Sequence, residues 1–145
     1  MTVQAIPDGF HTITPFMLLD DVRATLDFLD KAFGAEVRAC LTLPDGTVKH
    51  AQVKIGDSMI MFGTASPEFP AMKSFLHLYV EDMDAMHKSA VAAGATSLQD
   101  PNTEFYGDRS GGVMDAAGNV WWFATHVEDV SHEEIERRAS DAAGQ

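Results

Sequence analysis

Cysteine is almost absent from this chain, since Cys40 is the single one among 145 residues. An intrachain disulfide and a thiolate cluster around a structural zinc are therefore excluded. Cys40 lies in the apolar run ACLTL, which favours a small core residue over a reactive nucleophile. Long apolar runs are also missing, and none approaches the roughly 18 residues that a membrane-spanning helix needs. The N-terminus does not resemble a signal peptide, so we expect a cytoplasmic protein without a membrane partner.

Basic residues are scarce as well. The chain has 10 Lys and Arg against 22 Asp and Glu, which gives a formal net charge of −12. Such a surface repels a phosphate backbone, so we expect no nucleic-acid partner and attribute the acidity to solubility. The rest of the composition, 46% hydrophobic and 22% charged, is that of a globular domain. No low-complexity segment or long linker divides the chain, which predicts one domain over residues 1–145.

The first half of the chain predicts a strand, a helix and three more strands. A strand-length apolar stretch over 13–19 is followed by apolar positions at helical spacing over 22–33. Asp21 can cap the start of this helix and Gly34 can end it. Turn residues then separate three strand-like runs, over 36–43, 47–55 and 58–62.

The second half repeats this order, with a strand over 75–80, a helix between Asp82 and Gly94, and strands up to Phe123. Three pairs of matching residues are each separated by 61 positions (82 − 21, 107 − 46 and 123 − 62): Asp21 with Asp82, Gly46 with Gly107, and Phe62 with Phe123. The shared register predicts two βαβββ modules, over 10–66 and 72–126. Ser131 and Glu134 have the spacing of a capping box, which predicts a C-terminal helix over 131–141.

Two βαβββ modules in one small acidic chain resemble the vicinal-oxygen-chelate superfamily of glyoxalases, bleomycin resistance proteins and dihydroxybiphenyl dioxygenases. Residues 106–123, YGDRSGGVMDAAGNVWWF, are similar to the family's closing hairpin, where an Asp-x-x-Gly-Asn turn leads into the last strand. Residues 50–62, HAQVKIGDSMIMF, resemble the third and fourth strands of its PhnB-like branch. The resemblance implies an α+β fold in which the modules form a cupped mixed sheet with helices on its outer face. It also implies a homodimer.

In metal-using relatives the cup holds a divalent ion through two side chains per module, one near the start of the first strand and one on the last strand. The resemblance assigns these positions to Thr14, Met61, Phe75 and Trp122. Aromatic rings of this kind offer no donor atom, and a thioether is too soft for hard or borderline divalent ions. The family's metal site is therefore expected to be missing, and we predict no bound zinc, iron, nickel or manganese and no other cofactor.

Strand alternation assigns the side chains that line the cup. If Phe75 faces the cup, then His77 and Tyr79 do so too. By the same rule Trp122 faces the cup, while Trp121 faces the helices. The predicted ligand-binding residues are Thr14, Phe16, His50, Gln52, Met59, Met61, Phe75, His77, Tyr79, Arg109 and Trp122. This apolar and aromatic lining suits a flat, partly aromatic organic molecule. Alternatively, the large side chains fill the space where a metal and its water would have been.

Two histidines, His77 and His50, are the candidates for a catalytic role as a general base. No carboxylate is obviously placed to orient His77, so a packed histidine is the alternative, and the two could also form an atypical metal site. Arg109 could hold an anionic group with its planar fork, or it could pair with Asp108 or Asp115 and brace the hairpin. The remaining histidines give no site prediction, because they fall near the termini or on an exposed helix face: His11, His87, His126 and His132.

Three functions stay open on the sequence. The favoured one is a metal-independent protein that binds a small organic ligand in the cup, for example a drug or secondary metabolite that it sequesters. The second is an enzyme, a lyase, isomerase or dioxygenase, that uses an atypical metal site or a histidine general base. The third is a structural or interaction module with a filled cup.

Overall fold

The computed structural model describes residues 2–143 and divides the chain into two compact units, one ending at Ser74 and the next beginning at Phe75. The first unit contains one βαβββ module. Its elements are β1 (Phe16–Leu19), α1 (Val22–Phe33), β2 (Glu36–Thr42), β3 (Val48–Ile55) and β4 (Ser58–Thr64). Its four strands form a sheet in the order β1-β4-β3-β2, in which only the β1 and β4 pair is parallel.

The second unit contains a βαβββ module followed by a helix. Its elements are β5 (Phe75–Tyr79), α2 (Met83–Ala92), β6 (Thr96–Thr103), β7 (Asp108–Met114), β8 (Val120–His126) and α3 (His132–Ala143). The sheet order, β5-β8-β7-β6, repeats that of the first unit, again with its outer pair β5 and β8 parallel. The predicted α+β class with two βαβββ modules is confirmed.

The two modules share one register in detail. Phe16 lies opposite Met61 on the parallel pair of the first sheet, and His77 lies opposite Trp122 on that of the second. Both members of the second pair follow those of the first by 61 positions (77 − 16 and 122 − 61). The repeat found in the sequence is therefore a repeat of strand pairing as well as of element order.

Helix ends follow the predicted chemistry. The carboxylate of Asp21 accepts from the backbone N–H of Ala24 (3.1 Å) at the start of α1, and Gly34 ends that helix in the left-handed region at φ 62°. Glycine reaches this conformation without the steric cost that a Cβ imposes. Asp82 caps α2 in the same way as Asp21 caps α1. No helix within residues 2–143 is long and apolar enough to cross a membrane.

Each sheet buries the face that its own helix covers. In the first unit Met17, Val53 and Phe62 are at most 1% exposed, and in the second unit Trp121 and Phe123 are fully buried. Met61 and Trp122, which alternate with these residues, are more exposed, as alternation predicts. The predicted division of β8, with Trp121 and Phe123 towards the core and Trp122 on the other face, is what the burial pattern shows.

Two local predictions about the first unit are wrong. Cys40 is exposed rather than part of the core, because β2 lies at the edge of its sheet and all seven of its residues are exposed. The first strand begins at Phe16 instead of residue 13. Ile13 is 86% exposed, and the Thr14 hydroxyl donates to the His11 carbonyl (3.3 Å). This part of the apolar stretch is therefore an irregular segment that precedes the strand.

One prediction about the second unit is wrong as well. His87 does not lie on an exposed face of α2, because it is only 7% exposed. Its Nε2 is 3.0 Å from the Ser97 hydroxyl on β6, so the ring packs between the helix and its sheet with a polar partner. A histidine buried in this way has a structural role.

Candidate functional site

The open face of the second sheet carries four aromatic side chains on its parallel strand pair. Phe75 is 64% exposed and Tyr79 is 67% exposed, His77 between them is exposed, and Trp122 is half-buried. We call these four residues the aromatic face. A group of exposed aromatic rings on one side of a sheet is unusual on a surface that contacts only solvent, and it is typical of a binding site.

The rings of the aromatic face are ordered by contacts with one another and with the backbone. Phe75 stacks on Trp122 with ring centroids 6.0 Å apart and an interplanar angle of 22°. His77 and Tyr79 are 4.9 Å apart at 55°. The six-membered ring of Trp122 lies directly against Gly112 on β7, where an added Cβ would overlap it. Glycine at this position therefore lets the indole lie flat on the sheet and present its other side.

A chain of hydrogen bonds continues from the aromatic face to the end of β8. Tyr79 donates its O–H to Oδ2 of Asp108 (2.8 Å). The Nδ1 of His126 is 2.8 Å from Oδ1 of Asp108, and its Nε2 is 2.7 Å from Oδ1 of Asp129. Asp108 is 5% exposed, whereas the Asp129 side chain is fully exposed. The imidazole is thus held between a buried carboxylate and a solvated one.

Charge and hydrogen bonding in this chain shift two pKa values. The hydrogen bonds to Asp108 and then to Asp129 raise the pKa of His126 above its ordinary value, because a protonated ring donates to both carboxylates. The hydrogen bond to Asp108, with a smaller effect of burial, raises the pKa of Tyr79. The arrangement therefore stabilises the protonated form of each group, the imidazolium and the neutral phenol.

These groups line a cavity of about 460 Å³. Its walls are Tyr79, Tyr106, Asp108, His126, Asp129, Val130, Ser131 and Ile135. The helix α3 forms one side of it. That helix is capped by Ser131, whose Oγ accepts from the Glu134 N–H (3.2 Å). It is anchored by Arg138, which donates to the Phe105 carbonyl (2.9 Å) and pairs with Glu128 (2.9 Å).

His126 was not among the predicted site residues, because histidines near the termini gave no site prediction. One available signal was strand alternation, since counting in steps of two from Trp122 through Ala124 reaches His126 on the same face. The two carboxylates beside it could not be found this way. Asp108 lies on a neighbouring strand, opposite His126 in the antiparallel ladder, and Asp129 lies in the segment before α3.

In the first unit the predicted site residues gather on the open face of the other sheet. The Phe16 ring is 5.9 Å from the His50 ring, and Gln52 Nε2 lies 3.3 Å from His50 Nε2. Met61 lies opposite Phe16 and is half-buried. Met59 shares this strand face by alternation but is only 7% exposed, so it contributes to packing more than to an open surface.

Arg109 is a correction to the predicted list. It lies opposite Thr125 in the ladder, on the face of β7 that α2 covers, and so points away from Trp122. Its guanidinium forms a two-pronged pair with Asp84 of α2 (2.7 and 2.9 Å) and donates to Thr103 (3.1 Å). Neither predicted alternative partner, Asp108 or Asp115, is the one it uses. Arg109 therefore ties α2 to the sheet and does not contribute to the aromatic face.

The side chains at the family's metal positions do not fit a metal ion. Thr14, Met61, Phe75 and Trp122 together offer one hydroxyl and one thioether, which are too few donors for a divalent ion. Within residues 2–143 no three His, Cys, Asp or Glu side chains are grouped so that they could hold a metal. His50 and His77 each have a neighbour within their own unit, Gln52 and Tyr79 respectively.

Comparison with known proteins identifies the family. Residues 10–123 match the sequence profile of the Glyoxalase/Bleomycin resistance protein/Dioxygenase superfamily. The chain is 31% identical over 139 residues to uncharacterized protein Mb0911c of Mycobacterium bovis, covering 88% of this chain and 91% of that protein.

Among solved structures, TioX from Micromonospora sp. ML1 aligns with a TM-score of 0.70 and 23% identity, over 81% of this chain and 99% of that one. A glyoxalase/bleomycin resistance protein/dioxygenase family enzyme from Burkholderia phytofirmans PsJN aligns with a TM-score of 0.62 and 20% identity, over 77% of this chain and 95% of that one. These two likenesses bear on the fold, and the profile match bears on the family. The chain belongs to the glyoxalase/bleomycin resistance protein/dioxygenase superfamily.

Proposed function

We propose that this protein binds a small planar organic molecule on the aromatic face without using a metal ion, as a protein that sequesters a drug or secondary metabolite would. The observation that supports this is the seating of Trp122 against Gly112 with Phe75 stacked beside it. Two ordered, partly exposed rings offer a ready surface for a third. A stacked aromatic contact contributes about 0.5–1.5 kcal/mol beyond the area that it buries.

The metal-free character of the proposal rests on the donor chemistry at the family's metal positions. We assign the chain to the PhnB-like branch of the superfamily on the sequence of residues 50–62. We further propose that it acts in the cytoplasm. An enzymatic role with His50 or His77 as a base has less support, because neither ring has a carboxylate as a hydrogen-bond partner within residues 2–143.

The test uses dansylamide, a neutral fluorescent aromatic compound, as the first probe, followed by a panel of planar compounds that displace it. Binding should produce energy transfer from tryptophan to the dansyl group and a blue shift of its emission. Trp122→Ala should weaken binding about tenfold or more, equivalent to about 1.4 kcal/mol. Phe69→Ala is the matched control, because Phe69 is 59% exposed but lies outside the aromatic face.

Equal binding by the Trp122 and Phe69 variants would overturn the proposal, as would the lack of any binding below roughly 1 mM, where the binding free energy is only about 4 kcal/mol. If the probes do not bind but Trp122→Ala changes the oligomeric state, the aromatic face is an interface and the chain is an interaction module.

We also propose that the protein is a homodimer. The seven residues of β2 are exposed along one edge of the first sheet, including Val37 (46%) and Leu41 (55%). Uncovered edge strands with apolar side chains favour pairing with another chain, and closed two-fold dimers are the commonest homo-oligomers. Sedimentation should give the mass of two chains, and Leu41→Lys should shift the equilibrium towards one. A monomer at a concentration on the order of tens of micromolar would refute this.

A further inference from the structure

The acidic cavity next to the aromatic face is a second binding element. We propose that it receives a basic nitrogen of the ligand, so that the molecules bound by this protein are planar aromatic compounds carrying an ammonium or similar organic cation on a flexible arm. This proposal rests on the proposed function and specifies the chemical class of the ligand. Tyr79 belongs both to the aromatic face and to the cavity wall, so the two elements are continuous.

The charges of the cavity match a cation. Two carboxylates, Asp108 and Asp129, face it, and the one basic side chain in its wall is His126. The remaining wall groups are two tyrosines, one serine and two aliphatic residues, whose side chains carry no charge at neutral pH. Aromatic rings beside carboxylates are the usual surroundings of bound organic ammonium groups. The net charge of −12 adds long-range attraction for cations and repulsion for anions.

The spacing along the strands sets the length of the arm. Trp122 and His126 are four residues apart on β8, so roughly 13 Å separates their Cα atoms. His77, which lies opposite Trp122, is next to Tyr79 at 4.9 Å between rings. A ring stacked on the exposed side of Trp122 can therefore reach the cavity with an arm of several bonds, whereas a ring with an amine attached directly cannot reach both.

His126 contacts the same two carboxylates that the ligand's cation would contact. Its two ring nitrogens already bridge Asp108 and Asp129, in the way that an incoming ammonium would. When His126 is protonated the three groups carry one net negative charge, and when it is neutral they carry two. An organic cation should therefore bind more tightly as the pH rises through the pKa of His126, which the same two carboxylates raise.

The groups around His126 come from several elements. Asp108 comes from β7, Asp129 from the segment before α3, and Tyr79 from β5, while Tyr106 lies in the loop between β6 and β7. The helix α3 contributes the uncharged Ile135 to the wall. His126 is therefore the group of this set whose ordinary pKa lies closest to neutral pH.

Five of the eight residues that line this cavity lie outside the region that the family profile matches, and the other three lie inside it. The matched profile ends at residue 123, whereas His126, Asp129, Val130, Ser131 and Ile135 all lie beyond it. The cavity thus depends on the end of β8 and on α3, which are features of this chain outside the matched region.

The experiment compares two probes that differ in one charge. Dansylcadaverine carries an amine on a pentyl arm, and its N-acetyl derivative has the same ring and arm without the charge. The ratio of their dissociation constants isolates the contribution of the cavity. We expect the amine to bind about tenfold more tightly at neutral pH. Asp129→Asn should lower this ratio at least threefold, while Glu68→Gln, which removes an exposed acidic residue of the first unit, should keep it.

The pH dependence provides an independent readout. As the pH rises through the pKa of His126, which lies above its ordinary value, the affinity for the amine should rise and that for the acetylated probe should stay constant. His126→Gln should remove this dependence. Equal affinities for the two probes, with both still sensitive to Trp122→Ala, would overturn the cavity proposal alone. If neither dansylamide nor these two probes bind in a way that depends on Trp122, the proposed function is overturned instead.

Discussion

Trp121 and Trp122 are neighbours in sequence with opposite surroundings, so replacing each with alanine separates stability from binding. Trp121 is fully buried and its indole Nε1 donates to Oδ2 of Asp115 (2.9 Å). Trp122 is half-buried on the open face, where it lies against Gly112 and has Phe75 stacked beside it. Trp121→Ala should destabilise the fold strongly, and Trp122→Ala should destabilise it little while removing ligand binding.

The magnitudes depend on the contacts that each side chain makes. Truncating a fully buried tryptophan costs about 3–5 kcal/mol through lost burial and the cavity that remains. Asp115 is 7% exposed, and one of its carboxylate oxygens would lose its indole donor, which favours the upper end of that range. Trp122→Ala loses one stacked ring contact and part of its area, about 1–2 kcal/mol. A difference of about 2 kcal/mol or more between the variants is therefore expected.

The measurement is urea unfolding followed by far-ultraviolet circular dichroism, because tryptophan fluorescence changes in both variants. Trp121→Phe serves as a milder control that keeps an aromatic ring but lacks the indole donor. If Trp122→Ala cost as much free energy of unfolding as Trp121→Ala, the assignment of faces on β8 would be wrong, and every site residue assigned by alternation would change face with it.

Three further outcomes are expected. Gly112→Ala should displace the Trp122 ring, since its methyl group overlaps the indole. It should weaken dansylamide binding and cost about 1–3 kcal/mol of stability through overpacking; unchanged tryptophan emission and binding would contradict this. Nuclear magnetic resonance titration should place the pKa of His126 above its ordinary value and closer to it in Asp108→Asn. The pKa of His126 is higher in the folded state than in the unfolded state. The stabilisation that this ring provides is therefore present below the unfolded-state pKa and is lost as the pH rises through the folded-state pKa. His126→Gln should not show this pH-dependent loss of stability. Elemental analysis after dialysis should find substoichiometric zinc, iron, nickel and manganese, and one metal per chain would contradict the assignment of a metal-free site.

Much of the fold could be predicted because it depends on local signals that the chain repeats. Asp21 and Asp82 cap helices through bonds to residues three positions ahead, which spacing alone reveals. The burial of Trp121 beside a more exposed Trp122 agrees with strand alternation. Cys40 was misplaced because an apolar run cannot show whether its strand lies at the centre or the edge of a sheet, and that depends on pairing between distant segments.

The candidate site was less accessible to sequence reasoning. Alternation places Trp122 and the residues of β5 on one face, but it does not reveal partners. Arg109 is one residue from Asp108 in sequence, yet it pairs with Asp84, which lies 25 positions away on α2. Long side chains choose partners by tertiary proximity, which periodicity does not encode. The bond between Tyr79 and Asp108 likewise joins β5 to β7 and leaves no local pattern.

The shared register of the modules indicates why the second one should carry the binding site. Phe16 opposite Met61 and His77 opposite Trp122 occupy equivalent backbone positions, so the modules differ in their side-chain chemistry and in the segment after the last strand. After β8 the chain continues into α3, which closes one side of the acidic cavity, whereas residues 65–74 after β4 contain no helix. Two modules can thus share the same strand pairing while only the second carries the Trp122 indole and the acidic cavity. Arg138→Ala, which removes the anchor of α3, should accordingly weaken binding of the amine probe while both sheets stay folded.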